Sequence, residues 1–254
     1  GADPELFVGD GNSVRSIVGM IGGTKANPLQ LPIGPGFAWQ EDNVALEYNI
    51  PASATKELFV SNISMAMEFI KHAIHDAHGL QIVKDSALSF PASELMTPEA
   101  LQFGCEPDYN AWTGKVNPRP KADDKNLRSC GGHVHIGVDD HNLDKRQLIK
   151  CCDLFMGIPS VLMDKGELRK QLYGKAGACR YKPYGAEYRT LSNFWIFSEE
   201  LTAWVYDNTK RALDATLEQM SFEEDADLIQ SAINDNDKDK AMFLVQKYGL
   251  QVIH

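Results

Sequence analysis

The chain has 254 residues, 43% of them hydrophobic and 24% charged, and a formal net charge of −10. That length buries one sizeable core, or one domain with a small appendage. The acidic balance argues against a general nucleic-acid binder, which carries a basic excess. No apolar run reaches the roughly 18 residues of a membrane span. The N-terminus lacks a basic segment followed by an apolar core, so no signal peptide is expected, and Gly1 in place of methionine reads as a processed or trimmed start. Five cysteines (Cys105, Cys130, Cys151, Cys152, Cys179) form an odd set without C-x-x-C spacing. They read as free cytosolic thiols and point to a cytoplasmic protein.

In chain order, residues 1–50 are broken by Gly9-Asp10-Gly11-Asn12, Gly22-Gly23 and Gly34-Pro35-Gly36, the pattern of short antiparallel strands and hairpins. Ser53 is expected to cap a long helix ending at Gly79, with Phe59, Ile63, Met67, Ile70, Ile74 and Ala77 at helical spacing. A strand near Leu80–Val83 follows, and Thr97-Pro98-Glu99 opens a short helix with Thr as N-cap. Residues 107–128 are polar and Pro-rich and read as a mobile surface loop and candidate lid. A strand carrying His133 precedes a helix over about Leu143–Met163, expected to bend at Pro159. A basic loop, a strand at Glu187 and a helix over about Ser198–Glu218 complete a main unit of residues 1–220. Residues 221–254, acidic at first, read as a helical appendage. The order predicts an α+β fold with a largely antiparallel sheet.

Four stretches set two functional side chains two residues apart: Asp3-Pro4-Glu5, Glu47-Tyr48-Asn49, His133-Val134-His135 and Glu187-Tyr188-Arg189. In a strand, each such pair shares a face, while Leu46, Tyr48, Val134, Ile136 and Tyr188 turn the other way. A single Glu of this kind is more often a solvated surface residue. Together, Asp3, Glu5, Glu47 and Glu187 form a hard-oxygen set suited to Mg²⁺ or Mn²⁺ and substrate phosphates. His133 and His135 could bind zinc, touch a nucleotide or substrate, or act as acid and base. His72, His75 and His78 read as helix-surface imidazoles.

The segment Arg169–Arg189 carries Arg169, Lys170, Lys175, Arg180, Lys182 and Arg189, six cations able to neutralise a polyphosphate or to form an ordinary basic loop. Gly22-Gly23-Thr24-Lys25 lacks the spacing of a phosphate loop and reads as a hairpin turn from which Lys25 reaches a site. No G-x-S-x-G elbow is present, and no base is assigned to Cys130 as a nucleophile.

These residues carry a family resemblance. The segments Gly1–Glu5, Val44–Pro51, Gly131–Gly137 and Gly185–Trp195, with Phe103–Asn110 and Tyr173–Gly177 between them, resemble the phage-type COOH.NH2 ligases. Those are amidoligases related to glutamine synthetase and glutamate–cysteine ligase, and the resemblance spans about residues 1–215. It implies an antiparallel sheet curved into a funnel, holding ATP and two or more Mg²⁺, and an amide or isopeptide bond made through an acyl phosphate. It also implies small-molecule or peptide carboxylate and amine substrates, and leaves a homo-oligomer open. Carried onto this chain, the metal ligands would be Glu5, Glu47 and Glu187, with Asp3 or Asn49 assisting. His133 or His135 would meet metal or nucleotide, and Arg180 and Arg189 would hold phosphate or the substrate carboxylate. Lys25, Lys175 and Lys182 are further candidate phosphate contacts. Asp-Pro-Glu stands where many relatives have two glutamates, and Pro4 suggests that the first strand is an edge there. Two rivals stand beside this reading: a cupin-like metalloenzyme built on His133, His135 and a Glu, and a catalytically silent binding module on the same scaffold.

Overall fold

The computed structural model describes residues 1–101, 108–118, 120, 122–139 and 142–253. In chain order the strands begin with β1 (Ala2–Gly9), β2 (Val14–Arg15), β3 (Leu29–Gln30), β4 (Ala38–Asp42) and β5 (Ala45–Asn49), followed by helix α1 (Lys56–His78). Strands β6 (Gln81–Val83) and β7 (Ala87–Ser89) lead to α2 (Pro98–Leu101), then β8 (Tyr109–Asn110), β9 (Lys115–Val116), β10 (Leu127–Ser129) and β11 (Gly132–Gly137). Helices α3 (Lys145–Cys152) and α4 (Ile158–Met163) precede β12 (Ala178–Lys182) and β13 (Gly185–Tyr188). Helices α5 (Glu199–Leu217), α6 (Ala226–Asn234) and α7 (Lys238–Tyr248) follow.

Eleven strands form one sheet, ordered β3-β4-β5-β1-β11-β13-β12-β8-β9, with β2 and β6 pairing to the far end of β1. Its pairings are all antiparallel, and β7 with β10 forms a separate ladder. The α+β expectation and the antiparallel sheet therefore hold. Leu6, Leu46, Tyr48, Val134, Ile136 and Tyr188 are buried in one core with residues of the helices, as the alternation of their strands requires. Phe59 of α1 stacks on Trp195 there, with ring centroids 5.9 Å apart.

Several elements differ from the sequence expectation. Thr55, not Ser53, caps α1, its side chain accepting from the Leu58 N–H, while Ser53 accepts from Asn62 and bonds the Pro51 carbonyl. Phe59, Ile63, Ile70 and Ile74 are buried as expected, but Ala77 is exposed. Gly79 ends the helix at φ 67°, a left-handed position that glycine takes without strain. Pro4 is not on an edge. β1 pairs with β11 on one side, where Pro4 faces Gly132, and with β5 on the other. The β5 ladder holds Glu5 opposite Glu47, then skips to a bridge between Ala2 and Ile50, so the missing Pro4 N–H falls in a gap.

The helix expected to bend at Pro159 is interrupted just before it. α3 passes through a π turn, Asp153–Gly157, into α4. Pro159 has no N–H for the Phe155 carbonyl, and a widened turn accommodates that loss. The turn places Asp153 inside the protein, where Trp112 Nε1 (2.6 Å), Gly177 N (2.6 Å), Tyr188 Oη (2.9 Å) and Thr190 Oγ1 (3.2 Å) donate to its carboxylate. This hub ties the helix layer to β13 and to the turn before β12. Residues 107–128, expected as one mobile loop, contain a hairpin of β8 and β9 that extends the sheet beyond β12, and end in β10. Residues 107, 119 and 121 of that stretch, and Phe103–Glu106 with Cys105, lie outside the described residues. Beyond residue 220, Phe222, Ile229, Ala232, Ile233, Ala241 and Leu244 join the same core, and α7 packs on α4.

Burial pushes the Asp153 carboxyl up from 3.8 to about 6 even with its four donors. It is protonated below about 6 in the fold and ionised above, and the ionised form needs its donors more. Trp112→Phe is expected to cost about 1–3 kcal/mol, with the larger loss above pH 6. Urea unfolding on either side of that pH checks this, and an equal loss at both would remove Asp153 from the explanation.

Candidate active site

Strand register assembles the site. Glu5 lies opposite Glu47, and Glu47 lies opposite Gln40 on its other side. Asp3 lies opposite His133, and His135 opposite Glu187, which in turn faces Arg180. Side chains directly opposite on neighbouring strands lie about 5 Å apart at Cβ. Six strands thus present one continuous row of acids, an amide, imidazoles and a guanidinium on the face away from the helices.

That face walls a cavity of about 820 Å³, lined by Asp3, Glu5, Glu47, Asn49, His133, His135, Arg180, Lys182 and Arg189, with the hairpin residues Gly23-Thr24-Lys25 at its side. The hairpin closes through paired backbone bonds between Thr24 and Asn27, and Gly22 and Gly23 take positive φ, as expected of the turn. From it Lys25 Nζ reaches to 2.8 Å from Asp42 Oδ2. Gly131 is needed because a Cβ there would collide with the His133 ring. Its N–H also donates to Glu5 Oε2 at 2.6 Å.

Two groups of three side chains bring ligand atoms within 4.8 Å of one another: Asp3, His135 and Glu187, and Glu5, Asp42 and Glu47. In the first group Asp3 Oδ1 lies 3.0 Å from His135 Nε2 and Glu187 Oε2 lies 3.1 Å from Lys182 Nζ, while beside the second the buried Gln40 Oε1 has no hydrogen-bond donor among the described residues. Carboxylate-rich groups of this kind suit a hard divalent cation. Asn49 lines the cavity without joining either group. His133 joins neither group. Its Nδ1 lies 3.2 Å from Arg189 Nη1 and 3.5 Å from Asp3 Oδ1. His135 is held by Asp3 (3.0 Å) and by Tyr184 Oη (2.5 Å).

The charges do not balance evenly along the row. Burial opposes ionisation of Asp3, yet hydrogen bonds from His133 and His135 hold its carboxyl far below the usual range. Burial also opposes ionisation of Glu187, but Arg189, with help from His133 and His135, keeps it at about 2. Arg189 Nη1 contacts Glu187 closely, and Lys182 (3.1 Å) and Arg180 (3.8 Å) add to it. Glu47 is the opposite case. Burial, then the nearby Asp3, Asp42 and Glu5, push its carboxyl well above the ordinary value, against the pull of Lys25. One half of the face is charge-compensated and the other is short of positive charge.

Most residues singled out in the sequence meet here, but Lys175 does not: its ammonium donates to the Asn234 carbonyl at 2.9 Å, and it is not among the cavity's lining residues. Gln40 and Asp42 were missed, although Gln40-Glu41-Asp42 has the same two-residue spacing as the four stretches noticed. Glu41, between them, has its carboxylate occupied by the N–H groups of Gly19, Ile21 and Gly22, from which it accepts. Asp108, Arg128 and Tyr173 border the inner end of the site and come from irregular segments or a short ladder with no local signal. Cys130 packs in an apolar cluster with its thiol pushed well up by burial, which argues against a nucleophile. Cys130, Cys151, Cys152 and Cys179 are free, as expected.

With the geometry in place, the chain can be compared with known proteins. The family model described as phage phiEco32-like COOH.NH2 ligase-type 2 matches residues 124–251, just over half of the chain. No curated protein and no solved structure matches.

A carboxyl depressed in the fold contributes stability above its unfolded value of 4.5 and loses it as pH falls toward about 2. Arg189→Met leaves Glu187 buried without its closest counter-charge and is expected to cost about 3–5 kcal/mol at neutral pH. The deficit shrinks as pH falls below 4.5, where Glu187 can be protonated. Denaturation curves across that range check it, and a deficit independent of pH would show that packing, not charge, dominates.

Proposed function

We propose, for a chain that belongs to the phage phiEco32-like COOH.NH2 ligase-type 2 family, an ATP- and Mg²⁺-dependent joining of a carboxylate to an amine through an acyl phosphate. The family is one of carboxylate–amine ligases. The observation that carries the finer reading is one chamber with two separate hard-donor groups and the cations Lys25, Arg180, Lys182 and Arg189 around them. A cavity of about 820 Å³ is of the size that small-molecule sites use, and it suits a nucleoside triphosphate.

In this reaction a substrate carboxylate oxygen attacks the γ-phosphorus. The new O–P bond forms as the bond to the β-phosphate oxygen breaks, and ADP leaves. The amine then attacks the acyl carbon, the C–N bond forms, the C–O bond breaks, and phosphate leaves with the bonding pair. Arg180, Lys182 and Arg189, which line the chamber, would face the phosphoryl oxygens, where negative charge spreads in the transition state. His133 and His135 are the imidazoles available to take the proton that the amine loses. Mg²⁺, when bound by Asp3, His135 and Glu187 or by Glu5, Asp42 and Glu47, would supply further neutralisation of that charge. The cupin-like alternative has less support, since His133 and His135 do not share a ligand group among the described residues. Four buried free thiols agree with a reducing compartment, and no described helix is long and apolar enough to cross a membrane.

Glu47 provides the cleanest test. Burial and the neighbouring acids push its carboxyl well above the ordinary value, so Glu47→Gln, which keeps the shape and removes a charge the fold disfavours, should fold normally. It cannot become a carboxylate ligand, so ATP turnover should fall by roughly 100-fold or more. Calorimetry with a non-hydrolysable ATP analogue should show saturable, Mg²⁺-dependent binding, weakened by Glu47→Gln and by Arg189→Ala. Absence of binding to folded wild-type protein would remove the ligase mechanism. Binding without turnover on any acid–amine pair would favour a silent module on this scaffold.

A further inference from the structure

Behind the main chamber lies a smaller cavity of about 50 Å³. The two share Glu5, Asp42, Asn43, His133 and Arg189, so the smaller one opens from the inner end of the larger. Its remaining charged lining is two guanidiniums, Arg128 and Arg169, against one carboxylate, Asp108. A water-sized site needs about 10–15 Å³ on this measure, so the space takes a group of three or four heavy atoms and no nucleoside.

Arg169 is the informative residue. It is 3% exposed, and its Nη1 and Nη2 donate to the carbonyls of Thr190 (2.9 Å) and Arg189 (3.2 Å). Its Nε has no hydrogen-bond partner, and no carboxylate forms an ion pair with it among the described residues. Burying a charge without a counter-ion is costly and is normally offset by a partner. The seat is nonetheless built for it. Gly174 turns at φ 75° directly against the guanidinium, and a Cβ there would collide with Nη1. A guanidinium held by neutral carbonyls in a small pocket off the main chamber is a site for an anion brought by a ligand, and a carboxylate of three heavy atoms fits the space.

We propose that this inner pocket holds the carboxylate of the amine substrate, and that the amine donor is therefore a free amino acid rather than a simple amine. The inference rests on the ligase reading for the identity of the reaction. The polarity of the pocket orients such a ligand. Its carboxylate enters the cationic end at Arg169, and its amine faces the shared wall of Glu5, Asp42 and His133, toward the acyl phosphate. There the amine nitrogen forms the C–N bond, the acyl C–O bond breaks, phosphate leaves with the pair, and the amine proton passes to a base of that wall.

The test uses the full chain with Mg²⁺ and a non-hydrolysable ATP analogue, titrated with the standard L-amino acids and with their carboxamides. The carboxamides match the acids in size and lack the negative end. At least one amino acid should bind saturably, its carboxamide roughly tenfold or more weakly, and Arg169→Met should bring the acid down to the carboxamide level. No amino acid binding, or equal binding of acid and carboxamide, would overturn the proposal on wild-type protein alone, whether or not the variant folds. Unchanged acid binding by a folded Arg169→Met would overturn it as well. Nucleotide binding in the same samples reads the ligase mechanism separately. Acid-selective binding without nucleotide binding would keep the pocket and remove the ligase, and the reverse would remove only the pocket.

Discussion

The pairing of β1 with β5 on one side and β11 on the other sets everything that the face can do. It brings Glu5 opposite Glu47 and Asp3 opposite His133, and a slip of one residue in either ladder would turn every one of these side chains into the helix-packed core. Leu6, Leu46, Tyr48 and Val134 oppose such a slip, because each would lose its burial in the same move. The hydrophobic face thus holds the register, and the register composes the polar face. Pro4 fits this arrangement because its absent N–H falls in the gap between Glu5 and the Ala2 bridge.

Charge is distributed on that face with a purpose that the geometry makes plain. Around Glu187 the protein supplies its own cations, Arg189, Lys182 and Arg180, so this half is compensated before any ligand arrives. Around Glu47 the cation that lowers the carboxyl among the described residues is Lys25, and burial with neighbouring acids raises it instead. A buried acid cluster with too little counter-charge costs free energy that a divalent cation would return. Arg169 presents the mirror image, a buried cation whose Nε has no hydrogen-bond partner and which pairs directly with no carboxylate among the described residues. The two imbalances lie on either side of the shared wall of Glu5, Asp42 and His133, which is where two oppositely charged ligand groups would be brought together.

Rigidity behind the face comes from the Asp153 hub. The π turn before Pro159 places one carboxylate where Tyr188 and Thr190 of the β13 segment, Gly177 before β12 and Trp112 after β8 converge on it. Tyr188 stands between Glu187 and Arg189 in sequence, so fixing its hydroxyl on the far side of the sheet fixes the directions of both site residues. The interrupted helix is therefore part of how the site is positioned.

Alternation alone was enough to assign Leu46, Tyr48, Val134, Ile136 and Tyr188 to the core and their polar neighbours to the opposite face, because a two-residue period is a local property of the chain. The same rule contained Gln40 and Asp42, whose pairing went unnoticed among the acids around them. Local chemistry also marked the Thr97 cap, the Gly79 stop and the hairpin carrying Lys25. Other features had no local trace. Which strands are neighbours, why Pro4 sits in the interior and why Lys175 bonds Asn234 away from the cavity all depend on pairings between distant segments. The seating of Asp153 and Arg169 depends on three or four such segments meeting at one point. The sequence by itself determined which face of each strand is polar and which chemistry it carries, since side-chain period and residue type travel with the chain. Only the tertiary structure decided which of those residues touch, which charges remain uncompensated and where the inner pocket lies, because burial and counter-charge are properties of the assembled neighbourhood.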